Sequence, residues 1–158
     1  MRDAMDDLEL AKGIVEATSD AVIFADREGR VRLWNRGAEL VFGHTAEEML
    51  GQSLDVIIPE RLRKAHWEGF ERSLATGRTK HTNRVLTTRS VHKNGSKLYV
   101  DLSFGLVKDR DGRVVGAFAI GRDCTERYMA DTALKARVRE LEAQQAPRPS
   151  VAEGASDP

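Results

Sequence analysis

The chain has 158 residues, and its 25 Lys and Arg are balanced by 25 Asp and Glu, which argues against a globally basic surface for nucleic acid. Its apolar runs are too short to span a membrane, and the acidic N-terminal stretch has no apolar signal segment. The single cysteine, Cys124, can form neither an intrachain disulfide nor a zinc cluster. We therefore expect a bacterial-type cytoplasmic protein without direct nucleic-acid or membrane contact.

In chain order, the first predicted elements are a helix, a β-hairpin and two short helices. Apolar side chains recur at helical spacing within residues 1–18, which predicts an amphipathic helix there. Two β-rich runs, AVIFAD and RVRLWN, flank a tight turn in which Gly29 supplies a positive φ. Thr45 and Glu48 then have the spacing of a capping box, and Gly51 is suited to stop that helix.

The second half begins with LDVIIPE, which is predicted to be extended, and a longer helix runs from Pro59 to Gly77. Three β-runs follow, separated by the turn signals KNGS and DRDGR. The last run, VVGAFAIG, is apolar enough for a central, covered strand. In the middle run, apolar and polar residues alternate, so the apolar ones share one face. These apolar residues are Leu98, Val100, Leu102 and Phe104.

The C-terminal region is predicted to be a helix over residues 128–145, followed by a disordered tail over residues 146–158 that is rich in Pro, Ala, Ser and Gly. Leu134, Val138 and Leu141 lie at helical spacing among charged residues. A short coiled-coil seam would produce this pattern, and so would a solitary amphipathic helix folded onto the domain. The sequence leaves both arrangements open.

Taken together, these elements predict an α+β domain with a mainly antiparallel sheet. The β-runs are joined by hairpin turns, while the helices between the second and third runs must cover one face of the sheet. A space between that face and the helices would be suited to a small ligand. No nucleophile with an accompanying base and no Gly-rich phosphate loop is evident, so we expect a protein that is not an enzyme.

Several strings resemble a PAS domain of the S-box type over residues 19–127, with its C-terminal PAC motif. They include SDAVIFADREGRVRLWNRGAELVFGHTAEEMLGQ, VHKNGSKLYVDLSF and DRDGRVVGAFAIGRDCTER. Asn35 and the pair Phe42–Gly43 match the family pattern. The resemblance implies a five-stranded antiparallel sheet with helices over one face and flanking terminal helices. It also implies a sensory module that forms a homodimer and signals to another protein, such as a kinase or a transcription regulator.

The resemblance extends to an exit motif formed by Asp123, Thr125 and Glu126, for which it implies a signalling role. Asp123 ends the last β-run where the chain turns into the C-terminal helix. A carboxylate there can accept hydrogen bonds from the first amides of the helix, and Thr125 can help to cap it. A change in the sheet could then alter the angle or pairing of that helix.

Leu62, His66 and Phe70 lie at i, i+4 spacing on one side of the helix that opens at Pro59. PERLRKAH resembles the stretch that carries the proximal histidine in oxygen-sensing haem PAS proteins. This partial resemblance implies that His66 binds haem iron and that haem b is the cofactor. The ligand site is expected to comprise Leu62, His66, Phe70, Arg84, Leu86, Leu102, Phe104 and Ile120.

One departure from that group bears on the ligand. Where the oxygen sensors carry an arginine that binds oxygen, the matching position is Leu86, and Arg84 lies two residues away. A sensor of CO, NO or redox state then fits better than one of oxygen. The alternatives are an unknown small molecule, or a ligand-free interaction module in which His66 packs and bonds a backbone carbonyl. Trp67 is expected to be a packing group that faces a partner or solvent.

Overall fold

The computed structural model describes residues 6–147. Within this range, five strands and five α-helices follow one another in the predicted order. They are α1 Asp7–Ala17, β1 Ala21–Asp26, β2 Val31–Trp34, α2 Arg36–Phe42, α3 Ala46–Met49, α4 Glu60–Thr76, β3 Val85–Val91, β4 Lys97–Lys108, β5 Val114–Asp123 and α5 Thr125–Gln145. One prediction is wrong: LDVIIPE is not extended, because Leu54–Val56 forms a 3₁₀ turn capped by the Ser53 hydroxyl.

The strands form one antiparallel sheet in the order β2-β1-β5-β4-β3, so the α+β class and the five-stranded sheet are confirmed. β5 is the middle strand, as its apolar sequence predicted. The β1–β2 turn places Gly29 at φ 75°, in the left-handed region that side chains disfavour. The long route from β2 to β3 carries α2, α3 and α4.

The register of the central strands assigns side chains to the two faces of the sheet. Ala119 of β5 pairs with Ile23 of β1 on one side and with Phe104 of β4 on the other. Directly paired residues point to the same face. These three side chains therefore share one face, which we call the inner face. Leu98, Val100 and Leu102 of β4 are buried on it, as the alternation in their sequence predicted.

The core lies between the inner face and the helices α2 and α3. Phe42 and Met49 project from these helices and are almost fully buried, together with Val31 and Val100 of the sheet. The Trp34 ring packs against Phe42 with 5.3 Å between centroids. Its indole nitrogen donates to the carbonyl of His44 at 3.0 Å, so the buried ring leaves no unpaired donor.

The C-terminal part of the chain is a unit of its own from Glu126 onward, while residues up to Thr125 form the compact unit of the sheet. α5 begins at Thr125, three residues before the predicted start. All of its residues from Glu126 to Gln145 are exposed. Most of the predicted disordered tail, residues 148–158, lies outside the described residues, as do residues 1–5 of the predicted N-terminal helix.

Candidate ligand cavity

A cavity of about 390 Å³ lies between the inner face of the sheet and α4. This volume is within the range of small-molecule sites. The helical wall consists of Leu54, Ile57, Ile58, Leu62, His66 and Phe70. The sheet contributes mainly Ile23, Ala25, Thr88, Ser90, Leu102, Phe104, Ala117 and Ala119. The lining is therefore predominantly apolar, with an imidazole on one wall and two hydroxyls on the other.

The local sequence places α4 against the cavity. Pro59 precedes its first turn, and Gly77 ends it in a left-handed conformation at φ 67°. The 17 residues between them carry apolar side chains at i, i+4 spacing on the side that faces the sheet. Every residue of α4 keeps some exposure to solvent, so this helix covers the cavity without entering the core.

Two side chains of α4 attach it to the rest of the compact unit. The ring of Trp67 lies over Gly29, where an added Cβ would come within 2.4 Å of the ring, and its indole nitrogen donates to Asp55 Oδ1 at 2.8 Å. Trp67 is thus a packing group that faces the β1–β2 turn rather than a partner. Arg63 donates to the backbone carbonyls of Ile58 and Asp55, both at 3.1 Å.

His66 stands in the helical wall between two aromatic neighbours. Its ring meets Trp67 edge-on at 4.7 Å and stacks on Phe70 at 6.2 Å between centroids. Nδ1 is buried and has no hydrogen-bond partner among the residues that the structure describes. The alternative in which this nitrogen bonds a backbone carbonyl is therefore not observed. Burial lowers the pKa of His66, and the nearby Asp55 carboxylate opposes that shift; the net lowering favours the neutral imidazole.

The opposite wall is formed by the inner face of β3 and β4. Thr88 pairs with Val100 and Ser90 pairs with Leu98, so both hydroxyl side chains point to the inner face. The Thr88 hydroxyl donates to the Val100 carbonyl at 3.3 Å, and Ser90 is buried. These hydroxyls give an otherwise apolar wall a small capacity for hydrogen bonding to a ligand.

Five of the predicted site residues line the cavity: Leu62, His66 and Phe70 on α4, and Leu102 and Phe104 on β4. Three do not. Leu86 pairs with Leu102 on the inner face but lies beyond the lining. Arg84 precedes β3 and is exposed. Ile120 pairs with Val22 and Ser103, which alternate with the inner-face residues, so it lies on the opposite face of the sheet.

Sequence reasoning missed the part of the wall around the 3₁₀ turn and the inner-face hydroxyls. Leu54, Ile57 and Ile58 reach the cavity because the Ser53 cap curls this segment under the sheet. Three residues are too few to show a period, so only Ser53 before Asp55 could have signalled the turn. Arg89 also reaches the lining, but its guanidinium lies over the Tyr99 ring at 5.5 Å.

The exit motif is assembled where β5 meets α5. Thr125 accepts a hydrogen bond from the backbone nitrogen of Tyr99 at 2.9 Å, and its hydroxyl donates to Asp123 Oδ1 at 2.6 Å. Asp123 Oδ1 also accepts from the Thr125 amide at 2.8 Å, and the Cys124 amide donates to the Tyr99 carbonyl at 2.9 Å. The start of α5 is thereby tied to β4, whose residues also line the cavity.

The antiparallel sheet, the cavity and the exit motif together define a sensory module of the PAS type. A family sequence model described as the PAS fold matches residues 15–129, and the chain belongs to this family. The crystal structure of a PAS domain from Colwellia psychrerythraea agrees with a TM-score of 0.67 at 21% identity, over 77% of this chain and 99% of that one. At that identity the likeness shows the fold alone.

Two curated relatives are sensor proteins. The chain is 25% identical to the oxygen sensor protein DosP of Escherichia coli, over 80% of this chain and 15% of DosP. It is 26% identical to the sensor protein FixL of Bradyrhizobium diazoefficiens, over 84% of this chain and 25% of FixL. The chain thus spans a quarter or less of the length of these relatives. Over residues 6–147, no helix is long and apolar enough to cross a membrane.

Proposed function

We propose that this chain is a non-enzymatic sensory module that holds a largely apolar ligand in the cavity, with haem b as the first candidate and His66 as the iron ligand. The observation that carries the proposal is the placement of His66 in the wall of an apolar cavity of about 390 Å³. The signal would leave through the exit motif and α5, by dimerisation and by contact with a partner protein such as a kinase or a transcription regulator.

The residues present are compatible with haem. A neutral imidazole is the form that coordinates iron, and burial lowers the pKa of His66 toward that form. Leu62 and Phe70 would pack on the side of His66, while Leu102 and Phe104 would pack on the other side. When bound, haem iron supplies gas binding and one-electron redox chemistry; the apolar walls would exclude water from it.

The polar groups near the cavity bear on which signal we propose. Arg84 is exposed before β3, and the guanidinium of Arg89 is drawn to Tyr99. Arg89 pairs with Tyr99 on the opposite face of the sheet from Thr88 and Ser90, and its Nε is buried without a hydrogen-bond partner among the described residues. The side chains that offer hydroxyls from the inner face of β3 are Thr88 and Ser90. Neutral donors stabilise a polar gas complex less than a cation does. This favours CO, NO or redox state over oxygen, in contrast to the relative DosP, which is named an oxygen sensor protein.

The test is a haem titration of the full chain, followed by absorption in the ferric and the reduced states. We expect a Soret band in the native protein, its loss in His66→Gly, and its return when imidazole is added to His66→Gly. Return with imidazole shows that the loss came from the missing ligand and not from misfolding. His81→Gly, outside the cavity lining, is the matched control and should keep the band.

An unchanged band in His66→Gly would remove His66 as the ligand and overturn this assignment. No band in either redox state would exclude haem. Mass spectrometry of whatever small molecule copurifies with the native chain then tests ligand binding itself. A cavity that yields no molecule would favour the ligand-free interaction module, because the exposed α5 would remain the available route for protein contact.

A further inference from the structure

The backbone of β3 has one side without a strand partner. β3 is the last strand in the sheet order, and its pairing with β4 uses one of its two edges. We call the other edge, over residues 85–89, the open edge. The opposite end of the sheet is covered, because the Val31 amide donates to Gln52 at 2.9 Å and the Val31 carbonyl accepts from Gly51 at 2.8 Å. No backbone hydrogen bond from residues 6–147 covers the open edge in this way.

The hydrogen bonds of Tyr99 show which way the backbone of its partner on β3 points. The Tyr99 amide donates to the Thr125 hydroxyl, and the Tyr99 carbonyl accepts from the Cys124 amide, both at 2.9 Å. Both groups of Tyr99 are therefore directed toward the β5 side. In an antiparallel ladder, two directly paired residues either bond each other or both point away. Arg89 pairs with Tyr99, so its amide and carbonyl point away from β4.

Alternation along β3 gives the other groups on the open edge. Val85 and Thr87 lie four and two residues before Arg89, so their amides and carbonyls point the same way. Val91 confirms this direction, because its amide leaves the sheet and donates to the Ile57 carbonyl at 3.0 Å. The open edge therefore presents three amides and three carbonyls in a regular row, which is the template that another strand needs.

The sequence around the open edge is strongly basic. Residues 78–98 include six Lys and Arg and no Asp or Glu, although the whole chain has 25 of each kind of charge. Arg84 and Arg89 form no ion pair with the residues that the structure describes. The neighbouring Asp101 carboxylate already accepts from the Thr87 hydroxyl at 2.5 Å. The edge thus combines unused backbone groups with cations that have no counterion.

We propose that the open edge binds an extended, acidic segment of a partner protein, which joins the sheet as an additional strand. In this mode of recognition, main-chain hydrogen bonds supply affinity and alternate side chains supply specificity. Carboxylates opposite Arg84 and Arg89 would form charge-assisted hydrogen bonds with them. An apolar side chain opposite Val85, which is 66% exposed, would cover it. This contact is separate from the exit motif and does not depend on what the cavity binds.

Charge also argues against β3 of a second copy as the occupant. Pairing two open edges would bring two basic stretches together, and neither stretch has a carboxylate to place between them. Like charges oppose strand pairing, and charged side chains are a common protection of edge strands against self-association. An acidic segment turns the same charges into an attraction, so the edge discriminates between its own copy and such a partner.

Nuclear magnetic resonance of the isotope-labelled full chain tests the site with a defined probe. The probe is the peptide Glu-Val-Thr-Val-Ile-Glu with both ends blocked. In antiparallel pairing it places Ile opposite Val85 and its two Glu residues opposite Arg84 and Arg89. With about 1 mM peptide, we expect the amide signals of Val85, Thr87 and Arg89 to shift and their hydrogen exchange to slow about fivefold.

Two pairs of variants separate backbone pairing from charge. Val85→Pro removes one amide of the open edge and should weaken peptide binding about fivefold, whereas Val85→Thr should not. Arg84→Glu should also weaken binding about fivefold, and the peptide Glu-Val-Thr-Val-Ile-Lys should recover most of that loss. Arg72→Glu, an exposed arginine on α4, is the matched control and should leave binding unchanged.

Three results would overturn the proposal. The first is an absence of change at the open-edge amides when the peptide is added. The second is equal binding of Glu-Val-Thr-Val-Ile-Glu and Lys-Val-Thr-Val-Ile-Lys. The third is protection of these amides that rises with chain concentration without peptide, because a second copy of β3 would then occupy the edge. None of these measurements involves haem, so this failure is distinguishable from failure of the proposed function.

Discussion

At the scale of single residues, Asn35 is a polar side chain that is fully buried between apolar elements, and its hydrogen bonds explain how it can be buried there. Its Oδ1 accepts from the amides of Val22 and Ala38 at 2.8 and 2.9 Å. Its Nδ2 donates to the carbonyls of Val15 and Asp20 at 2.7 and 3.0 Å. The side-chain amide of Asn35 therefore caps α2 and joins this helix to β1 and to α1, and its hydrogen-bonding capacity is satisfied.

We expect Asn35→Ala to lower the free energy of unfolding by about 2–4 kcal/mol, because two backbone amides and two carbonyls, all at least partly buried, lose their partner together. The measurement is urea denaturation followed by circular dichroism. Asn94→Ala is the matched control, since Asn94 accepts from one exposed amide, that of Ser96 at 2.9 Å, and should cost less than about 1 kcal/mol. Equal losses in the two variants would contradict the role given to Asn35.

His44 makes stability depend on pH. Burial lowers its pKa; the Glu48 carboxylate raises it, and Lys93 and His92 lower it further. The unfolded chain therefore binds a proton at His44 more readily than the folded chain, so unfolding becomes easier as pH falls below about 6.5. We expect His44→Gln to reduce the loss of stability between pH 7 and pH 5, measured by urea midpoints. Parallel profiles for His44→Gln and the native chain would contradict this.

At the scale of elements, most of the fold could be predicted from the turn signals and the apolar periodicities of the sequence. Gly29, KNGS and DRDGR set the hairpins, and the alternation around Val100 identified the inner face of β4. The edge strand β3 was harder, because its start and register are set by pairing with β4, and no local signal fixes them. Counting along the chain therefore placed Arg84 and Leu86 in the site, whereas pairing brings Thr88 and Ser90 there.

Ile120 was placed in the ligand site for a related reason: its strand face could not be read from the sequence. β5 is apolar on both faces, so its sequence has no alternation to separate inward from outward residues. Only the pairing of Ala119 with Ile23 and Phe104 shows that Ile120 faces away from the cavity. The face of a strand can be predicted from sequence when one face meets water, as in β4, and not when both faces are apolar.

α4 is an element that can open locally, because none of its residues is buried and few side chains attach it to the compact unit. We expect Trp67→Phe to remove the hydrogen bond to Asp55 while keeping an aromatic ring near Gly29, at a cost of about 1 kcal/mol. Amides of α4 should then exchange hydrogen about fivefold faster, with β5 unchanged. Glu68→Gln, on the exposed side of α4, is the control.

Equal acceleration of exchange in α4 and β5 would mean that Trp67 stabilises the whole domain instead of attaching one helix. Unchanged exchange in α4 would mean that the Trp67–Asp55 hydrogen bond contributes nothing to its attachment. If haem binding is established, faster haem release from Trp67→Phe would be the functional counterpart, because α4 forms one wall of the cavity.

At the scale of the whole molecule, one strand, β4, both lines the cavity and binds the first residue of α5. Leu102 and Phe104 of β4 line the cavity, and the backbone of Tyr99 on the same strand holds Thr125 at the start of α5. A ligand that shifts β4 would therefore act on these hydrogen bonds directly. This route requires that the side chains of Thr125 and Asp123 are energetically coupled. A double-mutant cycle measures that coupling.

We expect Thr125→Val to lower the free energy of unfolding by about 1–2 kcal/mol, because it removes the acceptor of the Tyr99 amide and the donor to Asp123 while keeping the side-chain shape. Asp123→Ala should cost about 1 kcal/mol, and the double variant should cost less than the sum, with a coupling of about 0.5–1.5 kcal/mol. Urea denaturation gives all three values. Thr132→Val is the matched control, since its hydroxyl donates to the Tyr128 carbonyl within α5, and should change stability by less than about 0.5 kcal/mol. Strictly additive losses would mean that the two side chains cap α5 independently, and the exit motif could then not transmit a shift in β4 as one unit.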